Sequence, residues 1–211
     1  MVVKPAGFVP EAEWRAGVLS ALPESPAFRA ARPVRTQDGQ WTAHGWEASE
    51  LLSGQTDVSR QDEVLTAGVA FHEAVADLPR PDFLDSRDDP WAYGDRVAWE
   101  EQVADGSPAY HDVVHKLIEA RRPVELQAQV VHGDLPGNVM FADGLPPAII
   151  DWPVYWRPAV VGLGGRGRRR PLLVRRDAGP GRPMGASAGM GSDAGPCPDL
   201  PPHHGRRRRR A

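Results

Sequence analysis

The segment HGDLPGN at residues 132–138, followed by IIDW at residues 149–152, is the most informative part of the sequence. The residues before it, QAQVVH, are typical of a short strand, and the segment itself is typical of a polar loop. The strand-like run VMF, an Asp143-Gly144 turn and a second strand then lead directly into Asp151. The pattern therefore predicts a loop aspartate, an asparagine shortly after it, and a second aspartate at the end of a β-hairpin.

The side chains of this segment are those that phosphate transfer from ATP requires. That reaction needs a carboxylate beside the acceptor hydroxyl and oxygen ligands that hold Mg²⁺ across the phosphates. Asp134 is the candidate base, and Asn138 and Asp151 offer the oxygen ligands that Mg²⁺ prefers. We expect Gly133 to let the loop turn tightly and Gly137 to let backbone approach the site. The competing interpretation is an ordinary hairpin loop whose Asp134 and Asn138 only satisfy nearby backbone groups.

The longer segment HGDLPGNVMF…PAIIDW resembles the Brenner-type motif of aminoglycoside phosphotransferase and choline-kinase-like proteins, which share the protein-kinase fold. The resemblance extends over about residues 1–158. It includes Gly133, where the protein-kinase HRD loop has arginine, and the IDW form of the metal-binding motif at Asp151. One departure is the spacing, since Asn138 lies four residues after Asp134 and family loops usually have five.

The resemblance implies an α+β, protein-kinase-like fold that transfers the γ-phosphate of ATP to a small-molecule hydroxyl, with ATP and Mg²⁺ as cofactors. It implies Asp134 as the catalytic base and Asn138 and Asp151 as the metal ligands. The sequence is most similar to uncharacterised actinobacterial members, so the resemblance does not identify the acceptor.

The family pattern also implies a lysine on the third strand of the N-lobe, which contacts the nucleotide phosphates and pairs with a glutamate on the next helix. Lys4, at the end of the predicted strand MVVK, matches this place. Glu13 on the following helix is the expected partner, and Glu11 is the alternative. The extended run 46–48 falls where backbone groups of the hinge would bind adenine.

The pattern predicts three parts. Residues 1–50 form a partial N-lobe with the lysine strand, a helix at 10–22 and a hairpin at 33–48 that turns at Asp38-Gly39. Residues 51–159 form a partial C-lobe with helices at about 60–77 and 109–121, the catalytic loop and the metal-binding aspartate. Residues 160–211 form a tail rich in Arg, Gly and Pro.

Family members carry a glycine-rich hairpin before the lysine strand and further C-lobe helices after the IDW segment. We therefore expect an incomplete N-lobe and an incomplete helical C-lobe, with a chain truncated at its N-terminus and frameshifted after about residue 158. On this interpretation, ATP affinity and turnover of the polypeptide are weak or absent. The alternative is a non-catalytic kinase-like fragment.

The tail differs sharply from the rest in composition. Residues 160–211 contain 12 Arg, no Lys and three Asp, a net charge of +9, whereas residues 1–159 carry −12 and all the aromatic residues. So little apolar surface predicts disorder. The tail is either a basic arm that binds nucleic acid or another polyanion, or an out-of-frame translation of a GC-rich gene. The absence of Lys and of aromatic residues favours the second interpretation, so nucleic acid is expected to bind at most non-specifically.

The remaining features limit the location of the protein. No apolar run is long enough to span a membrane, and the N-terminus lacks the pattern of a secretory signal. The single Cys197 cannot form an intramolecular disulfide and fits a reducing compartment. We therefore expect a cytoplasmic protein, and the sequence leaves the oligomeric state open.

A competing site is the pair His111 and His115, which a helix places one turn apart, as in zinc sites. Asp112 stands where zinc proteases have glutamate, and no third ligand is obvious apart from His132. Two polar residues on a solvated helix face are the simpler interpretation.

Overall fold

The computed structural model describes residues 1–104 and 111–159. Four α-helices and one 3-10 helix lie in these ranges: α1 (Val9–Ala21), α2 (Gln61–Ala74), the 3-10 helix (Asp82–Ser86), α3 (Pro90–Ala98) and α4 (His111–Glu119). The strands are β1 (Val2–Pro5), β2 (Arg29–Ala30), β3 (Thr42–Ala43), β4 (Trp46–Ser49), β5 (Gln55–Thr56), β6 (Ala128–His132), β7 (Val139–Phe141), β8 (Ala148–Ile149) and β9 (Val154–Pro158). The mixed α+β class that the sequence predicts is confirmed.

The strands form three small sheets in the described part of the chain. The first has the order β1-β4-β3 and is antiparallel, with Lys4 directly opposite Glu47. The second has the order β2-β8-β7-β5 and contains the predicted hairpin of β7 and β8. The third pairs β6 with β9, so that the strand before the loop of Asp134 and the strand after Asp151 lie side by side.

Local sequence signals account for the helix ends. Helix α1 begins at Val9 and has Pro10, which needs no hydrogen-bond acceptor for its nitrogen, and Glu11 in its first turn. At the other end of α1, Arg32 donates to the carbonyls of Leu19 and Leu22. Helix α3 was not predicted, although Asp89 caps it by accepting hydrogen bonds from two backbone amides of its first turn.

The N-terminal hairpin turns at a different place from the one predicted. The turn between β3 and β4 is His44-Gly45, and both residues have a positive φ, 52° and 78°. A two-residue turn of this kind matches the twist of the flanking strands. Asp38-Gly39 forms a separate tight turn, in which Thr36 and Gln40 are joined by a backbone hydrogen bond.

The hydrophobic core lies next to the loop that follows β6. Phe71 of α2 is fully buried, and its ring makes edge-to-face contacts with Phe28, His132 and Trp152 at centroid distances of 5.5, 6.2 and 4.9 Å. The indole of Trp152 donates a hydrogen bond to the carbonyl of Val131. The residue that follows Asp151 therefore anchors its segment in the core.

Among the described residues, no helix is long and apolar enough to cross a membrane. The predicted helix at 109–121 is present as α4, and the helices at 10–22 and 60–77 as α1 and α2. The predicted tail, 160–211, lies outside the residues that the structure describes.

Candidate active site

Four of the five predicted site residues line one cavity of about 260 Å³. They are Lys4 from β1, Asp134 and Asn138 from the loop after β6, and Asp151 from the segment after β8. A second cavity of about 60 Å³ is also lined by Lys4 and Asp151, and by Ala48 and Ser49 of β4. The site is therefore assembled from segments at opposite ends of the described chain.

Asp151 binds a positively charged group in this structure. Its Oδ1 lies 2.5 Å from Nζ of Lys4, and the two side chains are 64% and 42% exposed. Partial desolvation would raise the pKa of the Asp151 carboxyl, but the hydrogen bond and charge of Lys4 outweigh it and hold the pKa below its usual range. The carboxylate is thus ionised at neutral pH and open to a cation.

The loop that carries Asp134 is tied to Asn138. The side-chain amide nitrogen of Asn138 donates to the carbonyl of Asp134 at 2.6 Å, and its backbone carbonyl accepts from the amide of Ile150 at 3.0 Å. The side-chain oxygen of Asn138 is the acceptor atom of the amide and therefore the atom that can bind a cation. The shorter spacing after Asp134 therefore still brings both residues to the cavity.

His132 joins the catalytic loop to the segment before Asp151. Its Nδ1 accepts a hydrogen bond from the amide of Asp134 at 3.1 Å, and its Nε2 lies 3.0 Å from the carbonyl of Ile150. Since a carbonyl only accepts, this network assigns the proton to Nε2 and makes the ring neutral. Burial lowers the pKa of His132 to about 4. The neutral ring of His132 thus holds the loop of Asp134 and the segment before Asp151 in place.

The structural roles of the two loop glycines are the reverse of those that the sequence suggested. Gly133 has an ordinary φ, but a Cβ there would lie 2.2 Å from Cδ2 of Tyr155, so its place depends on close packing. Gly137 has a φ of +86° and open space around it, so it is the residue that the turn requires. Both positions favour glycine, for opposite reasons.

Gly133→Ala is expected to destabilise the protein by about 1–3 kcal/mol, because the new methyl group must displace the ring of Tyr155. The matched control is Gly17→Ala on α1, where φ is not positive and no atom lies within 4 Å of the new carbon, so no loss of stability is expected. Urea denaturation measures both. Relief of the Gly133→Ala defect by Tyr155→Ala would support the packing explanation, and a defect that persists in the double variant would contradict it.

The expected pairing of Lys4 with Glu13 is wrong. Glu13 lies on the exposed side of α1 and accepts a hydrogen bond from Thr42. Within the described residues, Lys4 forms ion pairs with Asp151 and, at 3.6 Å, with Glu47. Glu11, the alternative partner, is buried and binds elsewhere. Glu13 thus faces β3 at the edge of the sheet and not Lys4 on β1, so the partner of Lys4 within the sheet comes from the neighbouring strand β4.

Two residues of the site were missed by sequence reasoning. Arg15 of α1 binds both carboxylate oxygens of Glu47, at 2.7 and 2.8 Å, and also donates to the carbonyl of Trp152 at 3.1 Å. Glu47 lies within the extended run at 46–48 that was predicted to lie near the nucleotide, so its position in the sequence partly indicated its place in the site. Arg15 carried none, because only the packing of α1 on the sheet reveals its partner.

The competing zinc site receives no third ligand in the described ranges. His111 and His115 lie 4.2 Å apart between ring centroids on α4, and the His111 side chain is exposed. No group of three or more His, Cys, Asp or Glu side chains is arranged to hold a metal ion in the described part of the chain.

An α+β protein that brings the Lys4 ammonium, the carboxylates of Asp134 and Asp151 and the Asn138 amide to one cavity has the side chains that phosphate chemistry requires. The model of the phosphotransferase enzyme family matches residues 2–153, and the chain belongs to this family. The matched range contains every residue that lines the 260 Å³ cavity. No curated protein matches the chain.

Proposed function

We propose that this chain is an ATP-dependent phosphotransferase with a protein-kinase-like fold that acts on a small-molecule hydroxyl. In this proposal the chain binds the nucleotide measurably, whereas its turnover is weak. In this proposal residues 1–50 belong to the N-lobe and residues 51–159 to the C-lobe. The observation that carries the proposal is the ion pair of Lys4 with Asp151, 147 residues apart, in a cavity that Asp134 and Asn138 also line.

The donor atoms of the cavity fit a nucleotide bound with Mg²⁺. Asp151 offers an ionised carboxylate that already binds the ammonium of Lys4, and Asn138 offers a neutral oxygen. Mg²⁺ is commonly held by one or two protein oxygens together with phosphates and waters, so two ligands suffice. When bound, Mg²⁺ would neutralise charge on the phosphate oxygens.

The chain's own residues divide the remaining work. Lys4 binds phosphate oxygens by its ammonium group, and Glu47 across the sheet keeps that group at the cavity. The oxygen of the acceptor hydroxyl attacks the γ-phosphorus, the bond from that phosphorus to the β,γ-bridging oxygen breaks so that ADP leaves, and Asp134 accepts the hydroxyl proton. The backbone of Asp134 is fixed by His132 and Asn138, so its carboxylate starts from a defined position.

ADP binding tests this function without knowledge of the acceptor. Calorimetry should show tighter ADP binding with Mg²⁺ than without it. Lys4→Met should weaken Mg²⁺-ADP binding by about tenfold, because a charge-assisted hydrogen bond contributes roughly 1.5–3 kcal/mol. Lys116→Met, on the exposed surface of α4, is the control and should bind as the original chain does. Equal affinities of the two lysine variants would contradict the proposal.

A further inference from the structure

Two buried side chains of opposite charge hold the backbone of Val154, three residues after Asp151. Glu11 of α1 and Arg87, which follows the 3-10 helix, are each less than a tenth exposed and lie 3.7 Å apart. The carboxylate of Glu11 accepts from the amide of Val154 at 2.8 Å, and the guanidinium of Arg87 donates to its carbonyl at 2.8 Å. Both polar backbone groups of Val154 are therefore bound by charged side chains.

The neighbouring carbonyls are also held. Nη1 of Arg15 donates to the carbonyl of Trp152, and the amide of Gly133 donates to that of Pro153. Asp151 itself has a φ of 48°, a left-handed conformation that is uncommon outside glycine and that aspartate adopts more readily than most residues. The restraints that follow Asp151 thus hold the backbone next to a left-handed turn at the residue proposed to bind the cation.

Arg87 also contacts the residue that packs against the loop of Asp134. Its guanidinium lies 4.9 Å from the centroid of the Tyr155 ring, and that ring fills the space beside Gly133. Arg87 does not line the 260 Å³ cavity, whereas Glu11 does. One buried arginine therefore contacts the segment after Asp151 directly, and the loop of Asp134 only through the Tyr155 ring, without lining the cavity itself.

We propose that Glu11 and Arg87 are positioning residues that direct the Asp151 carboxylate toward the divalent cation through the backbone of Val154. This inference rests on the proposed function. It predicts that their loss weakens metal-dependent nucleotide binding more than nucleotide binding itself, because the backbone after Asp151 relaxes while Lys4 stays on its own strand.

The test compares ADP affinity with and without Mg²⁺, and the ratio of the two is the Mg²⁺ enhancement. Arg87→Met should lower this enhancement by about tenfold or more, as losses of residues behind metal ligands do. Arg87→Lys should restore part of it. Glu11→Gln, which keeps an acceptor for the Val154 amide and is the variant most expected to fold, should give an intermediate loss. Arg80→Met removes an arginine paired with Asp85 at the surface and is the matched control.

Amide hydrogen exchange of Val154 by NMR supplies an independent measurement. A lower Mg²⁺ enhancement together with faster Val154 exchange supports the inference. Faster exchange with an unchanged enhancement overturns it, since Glu11 and Arg87 would then be structural only. Absence of any Mg²⁺ enhancement in the original chain overturns the proposed function and with it this inference, and that result is distinguishable because it needs no variant.

Discussion

Asp151→Asn is expected to abolish the Mg²⁺ enhancement of ADP binding. The amide carries no charge and is a poor ligand for a hard cation, so the preference for the metal-bound nucleotide disappears. Without Mg²⁺ the substitution has the opposite effect on ADP affinity, because Lys4 loses its ion pair with Asp151 and its ammonium group can bind phosphate. We expect metal-free ADP to bind as tightly as before or more tightly, whereas Mg²⁺-ADP binding falls by about tenfold or more.

The control for this prediction is Asp143→Asn, which removes an exposed carboxylate from the turn of the same hairpin. Calorimetry of both variants with and without Mg²⁺ separates a local charge effect from the loss of a ligand. If Asp151→Asn keeps the Mg²⁺ enhancement of the original chain, Asp151 is not the metal ligand. If both variants lose it equally, the effect comes from general electrostatics.

The second large effect is a loss of stability in weak acid. His72 and His132 are buried, and burial lowers the pKa of each from 6.5 to about 4. Between these values the unfolded chain binds protons that the folded chain excludes, so the free energy of unfolding decreases as the pH falls from about 6.5 toward 4. One pKa unit corresponds to about 1.4 kcal/mol, and the two histidines together should remove roughly 3 kcal/mol or more.

Urea denaturation between pH 7.5 and 5 measures this dependence while the carboxylates of the unfolded chain stay largely ionised. His72→Gln keeps an acceptor for the amide of His132 but does not titrate. It should make the pH dependence of the free energy of unfolding shallower, and the contribution of His132 should remain. His111→Gln, on the exposed surface of α4, should leave it unchanged. A free energy of unfolding that stays constant over this range would contradict the assignment of both histidines as buried and neutral.

The catalytic loop and its hairpin could be predicted because their signals are local. The order of strand, polar loop, strand, turn and strand follows from residues that are neighbours in the sequence, and β6, β7 and β8 appear where the pattern places them. The assignment of Lys4 to the nucleotide site rested on the family pattern. The structure brings Lys4 and Asp151 to one cavity although their separation in sequence carries no local signal.

The partners of these residues could not be predicted because they depend on register between distant elements. Glu13 seemed to suit Lys4 by its place on α1, but it binds Thr42 of β3. On the same helix Arg15 binds Glu47 of β4, and Glu11 binds the amide of Val154 on β9. The pairing of Lys4 with Glu47 follows from the alignment of β1 and β4. A shift of one residue in either strand would have exchanged the faces of the sheet.

The reason for Gly133 was hidden in the same way. Its sequence neighbours suggest a tight turn, whereas the constraint is the ring of Tyr155, which the pairing of β6 with β9 brings next to it. Arg87 gave no signal at all, since a lone arginine after a 3-10 helix is usually a surface residue. Only the fold shows that it is buried against Val154.

Paramagnetic broadening by Mn²⁺-ADP tests most directly whether Asn138 and Asp151 meet at the metal of a bound nucleotide. Mn²⁺ replaces Mg²⁺ and broadens the NMR signals of nuclei close to it. We predict the strongest broadening at the side-chain amide of Asn138 and the backbone amides around Asp151, and sharp signals at His111 and His115 on α4. Sharp signals from Asn138 and Asp151 at saturating Mn²⁺-ADP, with broadening elsewhere, would contradict the account.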